Sequence, residues 1–111
     1  MKNFEAVVLF TPDLSDSNLN KEKGNFEKNL SEMGGKLVNQ ENWGLRNLSY
    51  NIQGNKKSFY FFYQIKFESD KIQEIKKILN QNEKILRYLF IKVNDHQKLP
   101  TKILEGKSQN E

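Results

Sequence analysis

The side chains best suited to chemistry in this sequence are basic and closely spaced. Arg46, Lys56 and Lys57 flank a short polar stretch. Phosphates need fixed positive charge, and the planar guanidinium adds forked hydrogen bonds that lysine cannot make. Arg46 is one of only two arginines among 18 basic residues. The plain alternative is a solubilising edge, because lysines on edge strands block aggregation. Catalytic chemistry finds no comparable set. His96 is the only histidine and there is no cysteine, so it reads as a solvated side chain rather than a metal ligand or general base. Asp13, Asp16, Glu22 and Glu27 fit helix-start and solvated-face roles. Gly34-Gly35 lacks the Lys-Ser/Thr of a phosphate loop. These residues predict no metal, no cofactor and no small-molecule substrate.

The elements that position the basic residues follow from periodicity. In Trp43 to Ile52, Leu48, Tyr50 and Ile52 alternate with Asn47, Ser49 and Asn51, as in a strand. Gly44 permits a bend or bulge. Gln53 to Ser58 reads as a polar loop, and Ser58 to Glu68 as an aromatic strand. Phe59, Phe61, Tyr63, Ile65 and Phe67 lie on one face of it, and Tyr60, Phe62, Gln64 and Lys66 on the other. The stretch from Lys36 to Lys66 holds five basic residues against Glu41 alone, a net +4 that equals the net charge of the whole chain. Phe4 to Phe10 reads as a central strand, apolar on both sides. Leu19, Phe26, Leu30 and Met33 mark a helix over 17–33, capped by Ser15 or Ser17 and stopped by Gly34-Gly35. Ser69-Asp70 is expected to cap a second helix carrying Ile72, Ile75, Ile78 and Leu79. A last strand spans 85–93. The order β-α-β-β-α-β is that of an α+β, ferredoxin-like sandwich, a four-stranded antiparallel sheet with two helices on one face. The expected division is a domain over 1–94 and a polar tail over 95–111. Apolar runs are too short for a membrane span, and the N-terminus reads as a strand rather than a signal peptide.

The open sheet face presents Tyr60 and Phe62 with Leu89 and Ile91. Aromatic strand residues can stack bases, which suggests a stand-alone single-stranded RNA-binding module. The aliphatic neighbours do not stack bases and point to a protein partner instead. A third reading covers this face with the chain's own Leu99, Ile103 or Leu104. A small phosphatase-like enzyme of the same fold class would need an anion loop that is absent.

Trp43-Gly44-x-Arg46-x-Leu48-x-Tyr50-x-Ile52 resembles the signature of bacterial small-subunit (30S) ribosomal protein S six. Phe4-Glu5, Gly34-Gly35, Tyr60 to Gln64 and Arg87-Tyr88 also fall at family-like positions. Ser49 and Asn51 stand where that signature has alanine and proline; both fit a strand. The resemblance implies a cytoplasmic, ribosome-bound structural protein. It would pair with ribosomal protein S eighteen and bind the central domain, the platform, of small-subunit (16S) ribosomal RNA. The RNA contacts it suggests are Arg46, Lys56 and Lys57, then Lys2, Arg87 and Lys92. The partner contacts are Tyr60, Phe62, Leu89 and Ile91.

Overall fold

The computed structural model describes residues 1–99. Its elements are β1 (Lys2–Phe10), α1 (Asp16–Glu32), β2 (Lys36–Ile52), β3 (Asn55–Phe67), α2 (Ile72–Asn80) and β4 (Ile85–Val93). The strands form one antiparallel sheet in the order β2-β3-β1-β4. This is the ferredoxin-like arrangement that the alternation of elements predicts. Strand alternation divides the apolar residues between two faces. Phe4, Ala6, Val8 and Phe10 of β1 and Phe61, Tyr63, Ile65 and Phe67 of β3 pack against α1 and α2. Leu19, Phe26 and Leu30, and Ile72, Ile75 and Leu79, are the helical side of that core. The opposite face carries a smaller cluster: Leu9, Ile52 and Leu86, with Val7, Leu48 and Tyr60 against it.

Ser15 caps α1, its hydroxyl accepting the Asn18 N–H at 3.3 Å. The helix ends where Gly34 takes a φ of +83°. Gly35 is required for a different reason: a Cβ there would lie 2.5 Å from Cδ1 of Phe67. The start of α2 departs from expectation. Ser69–Lys71 is a 3-10 turn, and α2 begins at Ile72 without a side-chain cap. The Lys71 N–H bonds to the Glu68 carbonyl at 3.0 Å, an i to i+3 closure that takes up the residues expected to cap. Lys71 Nζ then reaches the Met33 carbonyl at 3.0 Å, joining the start of α2 to the end of α1.

The expected polar loop at Gln53–Ser58 is instead a two-residue turn. Gln53 and Gly54 take φ of 49° and 80°, and Ile52 pairs with Asn55. Two positive φ angles match the twist of the flanking strands. Lys56 and Lys57 therefore belong to β3.

Candidate nucleic-acid and partner interface

β2 is long but irregular, and its irregularities build the site. Its register against β3 shifts between Leu37 and Asn39, between Asn42 and Gly44, and between Asn47 and Ile52. At the second shift Gly44 takes a φ of +79°, which favours glycine. The bulge lays Trp43 over β3, 5.2 Å from the Phe62 ring at 9° and 6.5 Å from Tyr60 at 23°. The indole Nε1–H donates to Glu41 Oε1 at 2.9 Å. Arg46 closes the same bulge, its Nε donating to the Trp43 carbonyl at 3.0 Å. Its Nη2 is buried without a hydrogen-bond partner. A buried donor left unpaired is costly; the Nε bond to the Trp43 carbonyl is what orients the guanidinium against the bulge. Arg46 and Lys57 line an open pocket of about 500 Å³ with Trp43 and Tyr60. Two cations of different geometry beside one cavity suit a phosphate oxygen or a carboxylate.

Arg87 lies on the open face of β4, opposite Leu9. It donates to the Tyr50 hydroxyl at 2.9 Å and sits 5.4 Å from the centre of that ring. The contact ties the bulged end of β2 to the far edge of the sheet. Arg46, Lys57 and Arg87 thus lie toward one end of the sheet, but on different strands: Arg46 and Lys57 share a pocket on the β2–β3 side, while Arg87 is on the opposite edge strand.

Lys2 and Lys92 are elsewhere. Lys2 pairs with Phe67 and Lys92 with Phe4. Both share the parity of Phe4, so they belong to the helix side at the opposite end. Leu9 lies seven residues along β1 from Lys2, about 23 Å of strand. The six expected RNA contacts therefore do not form one patch.

The expected partner residues also divide. Leu89 and Ile91 are 53% and 50% exposed on β4, beside the half-buried Val7. Val7, Leu9 and Leu89 line a shallow apolar groove of about 320 Å³ with Arg87 and Tyr88. Tyr60 is half-buried. Phe62 is only 3% exposed because Trp43 lies on it, so its surface reaches a partner only through that ring.

His96 is not a solvated side chain. Its Nε2 faces the carbonyl oxygens of Phe4 and Ile65 at 3.2 and 3.1 Å. Carbonyls only accept, so this nitrogen carries the proton. Gln97 donates from its backbone and side chain to the Glu5 carboxylate at 2.9 and 3.0 Å. Gln64 Nε2 donates to Glu5 and to the Gln97 carbonyl. The chain beyond β4 therefore turns back onto β1 and β3. The signal for this was Glu5 and Gln64, polar side chains inside two central strands that require partners. Leu99 is half-buried, whereas Ile103 and Leu104 lie outside the described residues.

Comparison with known proteins gives concordant matches. The family model described as ribosomal protein S6 matches residues 3–92. The small ribosomal subunit protein bS6 of Azobacteroides pseudotrichonymphae is 38% identical over 94 residues, 85% of this chain and 84% of the relative. The bS6 protein of Zymomonas mobilis is 34% identical over 104 residues, covering 94% and 84%. That of Rickettsia prowazekii is 33% identical over 108 residues, covering 97% and 89%. The crystal structure of 30S ribosomal protein S6 from Thermotoga maritima superposes with a TM-score of 0.78 at 17% identity, covering 98% of this chain and 95% of that one. That last likeness concerns the fold.

Proposed function

This chain belongs to the ribosomal protein S6 family, and we propose that it pairs with ribosomal protein S eighteen to hold the central domain, the platform, of 16S ribosomal RNA. As a family member it is a non-enzymatic, structural constituent of the small ribosomal subunit, bound with ribosomal RNA in the cytoplasm. The observation that supports the finer reading is the division of the open sheet face. One part is apolar and exposed at Leu89 and Ile91; the other carries Arg46, beside a pocket at the β2–β3 edge that Lys57 also lines. Apolar area suits a protein surface, and fixed cations beside a pocket suit phosphate.

In this reading Leu89 and Ile91 seat the partner protein, with Tyr60 and Phe62 as the floor under Trp43. Lys57, Lys56 and the positive charge of Arg46 meet the RNA backbone. Arg87 sets the shape of the β2 bulge through Tyr50, and so positions the site. A stand-alone single-strand binder is less well supported. Trp43 is 6% exposed, and its ring is engaged with Phe62 and Tyr60.

Lys57→Glu tests the RNA contact, since Lys57 is exposed and its loss leaves packing intact. The thermal melt is expected to stay within a few degrees. RNA binding by the variant and its partner should weaken, and its salt dependence should fall by about one counterion. Unchanged affinity and slope would remove this end of the sheet from the RNA interface.

A further inference from the structure

The other end of the open face carries a second basic feature. Lys36 of β2 and Lys66 of β3 are direct cross-strand partners, and both are exposed. Like charges placed opposite one another weaken a strand pair. Neither lysine forms an ion pair with a carboxylate among the described residues. On its other side Lys66 faces Asn3 of β1, which is uncharged. The nearby Glu5 carboxylate is taken up by Gln64 and Gln97. Edge protection accounts for Lys36, because β2 is an edge strand. It does not account for Lys66, because β3 is flanked by β2 and β1.

We propose that Lys36 and Lys66 form a second phosphate contact for RNA, separate from the one at Arg46 and Lys57. The proposal rests on the ribosomal RNA reading above. Two ammonium groups brought together on a sheet surface make a site of positive potential that a polyanion neutralises. Arg46 lies ten residues along β2 from Lys36, up to about 33 Å of strand at about 3.3 Å per residue. The whole molecule measures 37 Å along its longest axis. The two contacts therefore engage different stretches of backbone, so the sheet spans the RNA rather than touching it at one corner.

The test uses the full chain with its partner protein and a central-domain RNA fragment. Affinity is measured over a range of salt for the wild type, Lys36→Gln/Lys66→Gln and the control Lys21→Gln/Lys77→Gln. The control removes the same charge from exposed helix positions. We expect the first variant to bind more weakly, with a salt slope reduced by about 1.8, as for two lost phosphate contacts. Its melting temperature should be equal or higher, since a like-charge pair is relieved. The control should keep nearly the wild-type slope. A slope unchanged in the first variant, or lowered equally in both, would overturn the proposal and leave the lysines as surface charge. If Lys57→Glu weakens binding while this pair does not, only the second contact fails. If the wild type itself does not bind the fragment, the reading of function fails with it.

Discussion

Tyr63 is fully buried between the sheet and α1, and its hydroxyl has no hydrogen-bond partner. Burial, and secondarily the Glu27 carboxylate, pushes its pKa well above the ordinary value of 10.0. In the unfolded chain this phenol ionises near pH 10, while in the fold it stays protonated. The unfolded state then binds fewer protons, so stability falls as pH rises above about 10, by up to about 1.4 kcal/mol per pH unit from this group. Tyr63→Phe removes both the unpaired hydroxyl and that linkage. It is expected to raise stability by about 1 kcal/mol at neutral pH and to flatten the alkaline decline in denaturant titrations. An unchanged alkaline slope would place the titration on other groups. The sequence put Tyr63 on the core face correctly, but alternation says nothing about whether a hydroxyl finds a partner. Arg46 shows the same limit. Its type and place were legible, and Gly44 signalled the bulge beside it, but the bond to the Trp43 carbonyl was not readable from either.

At the scale of elements, α1 holds an unexplained glycine. Gly24 is exposed, and a Cβ there would meet nothing within 4 Å. Gly24→Ala should therefore raise stability by about 0.5–1 kcal/mol, because the cost of glycine in a helix is conformational. Gly35→Ala should do the opposite. Its Cβ strikes the Phe67 ring, and overpacking of that kind costs about 1–3 kcal/mol. A thermal melt of each variant distinguishes the two glycines. The segment after β4 makes a third case. Composition reads Asp95 to Gln97 as the start of a free tail, yet His96 and Gln97 bond to both central strands. His96→Ala should cost about 1 kcal/mol and lower the melting temperature by about 4–8 °C. No change would mean that the segment is held by Gln97 alone. Strand and helix identities were readable because core residues recur with the right period. The tight turn at Gln53-Gly54 was not, because Gln53 is an unusual residue for a positive φ.

At the scale of the molecule, one face of the sheet is spent on the core and the other is divided in chemical character. The apolar part is built on β1 and β4, and the basic part on β2 and β3. The central claim is that these two parts act together, one holding a protein and the other RNA. Phe62 is a poor probe of this, since its burial under Trp43 would make a charged substitution unfold the face rather than report on the partner. Leu89 and Ile91 are better, being half exposed on an edge strand. The direct measurement is binding of a 16S central-domain fragment by the wild-type chain alone, by the chain with ribosomal protein S eighteen, and by Leu89→Asp/Ile91→Asp with the same partner. The account predicts weak binding alone, tight binding by the pair, and loss of the gain in the variant while its melt stays within a few degrees of wild type. Equal binding with and without the partner, or a variant that pairs and binds like the wild type, would contradict it.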